Sequence, residues 1–527
     1  MKRRHFLAGT AAATLAAPAV RAAGDAKVLK FVPQADIALL DPHFAPALVT
    51  RNHSYLVYDT LYGVDDKALP KPQMAAGHVI EDDGKTWKIT LRDGLKFHDG
   101  EKVLARDAAA SLLRWSKRDV FALSVFQQVD EVAAISDTVL QFRLKRPFRL
   151  LADALGKQSP FAPAIMPERL AKTEPGQQVK EIIGSGPYKF VMSERVPGSR
   201  AVYEKFDGYV PRPDGVPEGS TGPKIVRIPR IEWHTIPDPA TAAAALQSGE
   251  VDWWEQPTGD LLPLLRKHRD VNVEVLDFLG YVAVLRFNHL HAPFNNPAIR
   301  RALLGAFSQR DMMQAVAGED SAMWKEGVGF FTPASAFAND AGMEAMNSPR
   351  DLAKVKRDLA AAGYNGEKFI LLVPTDLPAI NAMSEVCGEV FRKLGMNMDY
   401  VTADWATVAA RLNSKETLDK GGWSLNANYA PGYSPMSPAA HGFMRGLGQN
   451  SLFGWPSMPK VEELRSAWID TTDLAEQKRL AREIQLQCFQ DVPYVPLGSF
   501  FFASAYRKDL TGFIKGGIPM FYNVRRA

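Results

Sequence analysis

The sequence predicts an α/β protein of two lobes, the first enlarged by an α+β subdomain. Three observations carry this reading. The chain has 527 residues, more than one hydrophobic core usually organises, so it should divide into two or three compact units. Apolar residues alternate with the period of a strand in some segments and recur with the period of a helix in others, and the two patterns follow one another along the chain. Dense Pro and Gly at 184–188 and 211–223 punctuate it with turns.

The first segment is an export address rather than a fold element. Lys2, Arg3 and Arg4 precede a short apolar run from Gly9 to Val20, and Val20-Arg21-Ala22 offers the small residues a signal peptidase reads. Cleavage is expected after Ala22. The run is too short to span a bilayer as a helix of about 20 residues, and Pro18 interrupts it. Arg3-Arg4-His5-Phe6-Leu7 has the look of a twin-arginine signal, with a general secretory signal as the alternative.

Removing residues 1–22 takes away four basic residues and no acidic ones, so the formal charge of +4 falls to about zero. A balanced chain lacks the basic excess that a phosphate backbone demands, which excludes nucleic acid as the expected partner.

In the first lobe, expected over 23–280, Trp87, Ile89 and Leu91 alternate with polar residues, as do Leu140, Phe142 and Leu144. These are strands with one wet face, and Leu104–Trp115 between them has helical spacing, so about 63–183 forms the α+β subdomain. Strand signals resume at Ile225–Trp233. A helix over Ala240–Gln247 ends at Gly249, and Val251–Glu255 is extended.

The second lobe, expected over 281–496, opens with the apolar strand Tyr281–Phe287. Asn296-Pro297 supplies an N-cap and a first-turn proline for a helix bearing Ile299, Leu303 and Phe307 on one face, and Ser348-Pro349 repeats the device before Leu352, Val355 and Leu359. Strand Lys368–Val373, helix Ile380–Leu394 and strand Met396–Val401 alternate. The last helix, Leu474–Gln490, leads into Val492–Pro496, and an aromatic-rich closing segment over 497–527 is expected to pack back onto the first lobe.

The search for catalytic chemistry is largely empty. HExxH, GxSxG, the P-loop and a GxGxxG opening a βαβ unit are all absent, so no catalytic residue, metal site or cofactor is assigned. His98-Asp99 reads as the end of a strand in a turn, and His289 and His291 as polar loop residues rather than a ligand pair. Cys387 and Cys488 both fall on apolar helical stripes, and a bridge between them and two separate core thiols are both compatible with the sequence. What is abundant is aromatic and amide surface near strand ends: Trp253, Trp254, Tyr281, Trp405, Trp423, Asn426, Asn428, Tyr429 and Tyr433. Such residues suit a recognition pocket, apolar walls giving affinity and a few polar groups giving orientation. If Trp253 and Trp254 are extended they face opposite ways, so at most one lines a cleft.

Several colinear motifs carry a family resemblance. Leu91-Arg92-Asp93-Gly94-Leu95-Lys96-Phe97-His98-Asp99-Gly100, Gly184-Ser185-Gly186-Pro187-Tyr188 and Leu246-Gln247-Ser248-Gly249-Glu250-Val251-Asp252 resemble the family-5 extracellular solute-binding proteins, which include dipeptide, oligopeptide and nickel-complex receptors. Phe287-Asn288, Pro293-Phe294-Asn295-Asn296-Pro297, Arg300-Arg301-Ala302-Leu303 and Asp491-Val492-Pro493-Tyr494-Val495-Pro496-Leu497 extend the match over nearly the whole mature chain.

The resemblance implies a periplasmic binding protein-like fold of the large type, with a hinge motion that closes two lobes on a small-molecule ligand. It implies a periplasmic, monomeric receptor that hands its ligand to an inner-membrane ABC permease and makes or breaks no bond. An exported enzyme, or a cofactor or metal carrier on the same scaffold, is the alternative.

By position in the family, Phe44, Gln256 and Tyr281 are candidate ligand contacts from the first lobe and crossover, and Trp405, Arg411, Trp423, Asn426 and Tyr429 from the second. In peptide-binding relatives a Gly-Trp precedes an Asp that pairs with the peptide's ammonium group. Here Gly422-Trp423-Ser424-Leu425-Asn426 puts a neutral amide at that position. Loss of one partner from a buried ion pair costs about 3–5 kcal/mol, which argues against ordinary peptide binding.

Overall fold

The computed structural model describes residues 27–158 and 161–527; the expected signal and its cleavage point lie outside them. Two mixed sheets organise the chain. In the first, Val28–Val32 is central, with Arg230–His234 and Trp253–Trp254 parallel on its two sides. Arg200–Lys205 and Tyr188–Phe190 extend one flank, and Ser504–Arg507 and Val271–Glu274 the other, in antiparallel pairing. Strands covered on both faces carry no alternation. Accordingly Trp253 packs on one face against Phe31, its ring centroid 5.0 Å away, while Trp254 joins Val32, Ala242 and Leu246 on the other.

Strand pairing after the Pro-rich loop begins only at Arg230, later than Ile225, because Pro229 has no N–H to give to the ladder. The following helix, Pro239–Ser248, is capped by the Asp238 carboxylate, which accepts from the Thr241 amide at 2.8 Å. It stops at Gly249, whose φ of 80° is left-handed.

A separate antiparallel sheet of Ala75–Glu81, Thr86–Leu91, Val139–Leu144 and Val129–Ala134 carries the helix Ala105–Trp115. It is tied to the first lobe by the buried fork of Arg114 on Asp41, at 2.9 and 2.7 Å. His98 locks the turn that follows: its Nε2 donates to the Gly186 carbonyl at 3.0 Å and its Nδ1 accepts from the Gly184 amide at 3.3 Å. Burial holds its pKa down to about 4, so the ring is a neutral clamp, while Asp99 pairs with Arg169.

The second sheet runs Trp324–Lys325, Tyr494–Phe500, Tyr281–Phe287, Leu425–Pro431, Phe369–Pro374 and Met398–Ala403. Asn296 caps the helix Pro297–Leu304 through the Ala298 amide at 2.9 Å. Ser348 does not cap Leu352–Ala361. It ends the short helix Glu344–Asn347, donating to the Glu344 carbonyl at 2.6 Å, and the Asp351 carboxylate takes the cap by accepting from Lys354 N at 2.9 Å. Cys387 and Cys488 are buried free thiols on the separate helices Pro378–Leu394 and Leu474–Asp491.

Tyr494–Phe500 is one strand of the second sheet, so the return to the first sheet falls at 501–503, past the expected position 497. The chain therefore crosses between sheets at 275–280 and again at 501–503. The final residues complete the first core, with the Phe521 ring 4.9 Å from Phe31 and Tyr522 fully buried.

Candidate functional site

The two crossings frame a small recess of about 50 Å³ that opens to solvent. Glu255 and Gln256, at the end of strand Trp253–Trp254, form one wall; Asp277 and Tyr281 come from the first crossing, Phe502 from the second, and Gly516 and Gly517 from the closing segment. Gln256 donates to the Tyr281 hydroxyl across 3.4 Å. The Tyr281 ring meets Tyr429 edge-on at 5.2 Å and Phe502 at 5.1 Å, so an aromatic wall continues from the recess into the second lobe. Burial, with the Glu255 carboxylate adding to it, pushes the Tyr429 phenol up to about 12.

The lobes also touch directly at the rim. Arg445 of the second lobe donates to Ser124 Oγ at 2.9 Å and reaches the Val120 carbonyl at 3.4 Å in the subdomain. Arg146 of the subdomain pairs with Asp470 at 2.6 Å. Burial pushes the Tyr433 phenol upward, and Asp153, Tyr55 and Asp119 of the first lobe contribute to that field.

Of the residues singled out by sequence, Gln256, Tyr281 and Tyr429 come together at the junction. Asn426 is fully buried nearby on the strand Leu425–Pro431, donating to the Leu372 carbonyl at 3.3 Å and accepting from Asn428 at 3.2 Å. Phe44 is half-buried under the Arg118 guanidinium, 5.8 Å above its ring, on the turn fixed by Asp41.

Trp405, Arg411 and Trp423 gather at the far side of the second sheet. Trp405 is half-buried at the start of helix Trp405–Leu412. Trp423 has no exposed surface; it packs with Ile370, Leu372, Val408, Leu412 and Trp455, and so belongs to a core rather than a cleft wall. The fork of Arg411 is occupied by backbone, Nε and Nη2 donating to the Gly422 carbonyl at 3.1 and 2.7 Å, with Nε also reaching Gly421. A guanidinium so engaged holds the turn before Trp423.

His289 and His291 do not converge. His289 faces the Pro493 carbonyl and His291 the Lys415 carbonyl, and among the described residues no group of three or more His, Cys, Asp or Glu is placed to hold a metal. The sequence reading missed Glu255, Asp277, Phe502 and Arg445. Glu255 was the accessible one: an acid directly after two tryptophans in an extended segment is a charge led into a core.

Residues 70–445 match the family described as bacterial extracellular solute-binding proteins, family 5 middle. The chain belongs to this family. A relative in Sinorhizobium fredii, named a probable peptide ABC transporter periplasmic-binding protein, is 34% identical over 100% of this chain and 99% of its own. Among solved structures, the fold is shared with AgaA of A. tumefaciens R10 in complex with agropinic acid (TM-score 0.78, 20% identity, 95% of this chain and 99% of that one). It is shared equally with a dipeptide-binding protein of Pseudoalteromonas in complex with Met-Leu (TM-score 0.77, 20% identity, 95% and 100%). The recess lies at the crossings between the two lobes, with Tyr281 at the start of the second-lobe strand Tyr281–Phe287 among its walls.

Proposed function

We propose that this chain is the solute-binding component of an ABC import system. Exported and freed of its signal near Ala22, it captures a small organic ligand between its lobes as a monomer and delivers it to an inner-membrane permease, without chemistry of its own. The observation that carries the reading is the recess between the two crossings, walled by Gln256 and Tyr281 and continued by Tyr429 of the second lobe. Contacts made to both lobes at once bind the closed form better than the open one, which is the differential affinity that closure requires. The family membership and the name of the Sinorhizobium relative support the same role.

Asn426 bears on the ligand. Its amide is spent on the Leu372 carbonyl and on Asn428, so a neutral side chain stands where the family resemblance implies an acid in peptide-binding members. The reading therefore favours a ligand whose charge is not held there. Native mass spectrometry of the gently purified mature chain is the direct test: a co-purifying small molecule that is recovered unchanged supports capture, and conversion of added compounds to products would overturn it.

A further inference from the structure

Two carboxylates line the recess, and among the described residues Arg51 is the cation whose charge acts on both. Glu255, 9% exposed, accepts from Asn52 Nδ2 at 2.7 Å and from the Gln34 amide at 2.8 Å. Asp277 is held differently: its Oδ1 accepts both the Leu279 and Gly280 amides, at 3.0 and 3.2 Å, while its Oδ2 has no hydrogen-bond partner among the described residues. That free oxygen faces Gly517, where a β-carbon would stand 3.2 Å from it. Arg51 is buried, but its fork is turned to Asn52 Oδ1 at 3.2 and 2.9 Å and to the Gly517 carbonyl at 2.7 Å, and it makes no ion pair with either acid. The recess thus holds one more negative charge than positive, in walls of Tyr281, Phe502, Leu276 and Ile518.

Withdrawing two carboxylates from water beside a single arginine is costly, and a cation supplied from outside offsets the cost. Aromatic faces beside the acids add a favourable quadrupole for the same charge. We propose that the recess receives a positively charged group of the ligand, an ammonium or a guanidinium, against Asp277 and Glu255. This puts the cation site at the first crossing and not on the second-lobe strand, where Asn426 is neutral. Burial raises the pKa of both acids, and the Arg51 charge, which pulls both down, offsets only part of it. The inference rests on the recess being the ligand site.

The test pairs cations with neutral isosteres: choline with 3,3-dimethyl-1-butanol, arginine with citrulline, alanyl-alanine with its N-acetyl form. These are scored by thermal shift and calorimetry, alongside identification of any ligand released on denaturing the purified mature chain. Asp277→Asn is the variant of choice, because an amide oxygen can still accept from Leu279 and Gly280. Binding confined to cationic compounds, weakened about ten- to a hundredfold in Asp277→Asn with a melting temperature of the free chain no lower than wild type, is the expected result. Neutral compounds binding as tightly, a released ligand without positive charge, or an unaltered affinity in the variant would overturn the cation site while leaving solute capture intact. Failure of every compound to bind, with nothing released, would overturn both.

Discussion

Arg445→Met should loosen the closed form without unfolding either lobe. Arg445 is 6% exposed and gives the subdomain one good hydrogen bond, to Ser124 Oγ at 2.9 Å, and one long one, to the Val120 carbonyl at 3.4 Å. A hydrogen bond from a charged donor is worth about 1.5–3 kcal/mol, and the long contact adds little, so the closed form should lose about that much relative to the open form. The variant strands no acid, since Glu462 keeps Arg465 at 2.8 Å and the Gly446 amide at 2.7 Å. Arg146–Asp470, the other rim pair, has both side chains more than 40% exposed and contributes about 1 kcal/mol or less. The open-to-closed ratio should therefore rise about ten- to a hundredfold, and ligand affinity should fall to the extent that closure limits it. Small-angle scattering of the ligand-free chain, wild type against Arg445→Met, reads this as a larger radius of gyration. A Ser124→Ala double-variant cycle isolates the pair. Identical scattering, together with a coupling near zero, would refute the role of the contact in closure.

Three further outcomes follow from the packing. His43, His53 and His441 are buried and each is held down to about 3 by burial, so the unfolded chain takes up protons below its ordinary value of 6.5 that the folded chain refuses. Their stabilisation is whole above about pH 6.5 and falls as pH drops toward 3, by up to about 1.4 kcal/mol per pH unit for each histidine; melting temperatures recorded from neutral to acid pH check the slope, and a flat profile would contradict it. Gly184→Ala should prevent folding or cost more than about 2 kcal/mol in denaturant melts, because a β-carbon there overlaps the Val57 carbonyl that the next turn packs against. Trp423→Ala should cost about 3–5 kcal/mol of stability while leaving ligand affinity within about tenfold, as expected of a core residue; a selective loss of binding would return it to the cleft.

How much of this was legible in the sequence depends on where each signal resides. Tyr281–Phe287 and Ala105–Trp115 follow from local pattern, and the caps Asn296 and Gly249 from local chemistry. The helix at 352 shows the limit of that reasoning: Ser348-Pro349 has the chemistry of a cap, but Ser348 closes the preceding turn and Asp351 takes the cap. Apolar runs buried on both faces hide their own boundaries, which is why 492–506 gave no sign that the sheet changes between Phe500 and Ser504. Site residues suffer most, because sequence position fixes a side chain's neighbourhood but not its engagement. Arg411 reaches carbonyls ten and eleven residues onward, and Trp423 lies under Trp455, contacts that no local pattern contains.

The acids of the recess show the same limit from the opposite side. Glu255 and Asp277 become a paired feature only because the closing segment returns more than two hundred residues later. That segment has two roles that cannot be separated. Phe521 fills the first core beside Phe31, which fixes the segment in place, and the Gly517 carbonyl then draws the Arg51 fork away from the carboxylates. A chain that satisfied Arg51 with Asp277 would be more stable and would have no charge left to offer. Here a backbone carbonyl takes the arginine and, among the described residues, Asp277 Oδ2 has no hydrogen-bond donor, which on the proposed reading leaves it for a ligand that bridges the crossings.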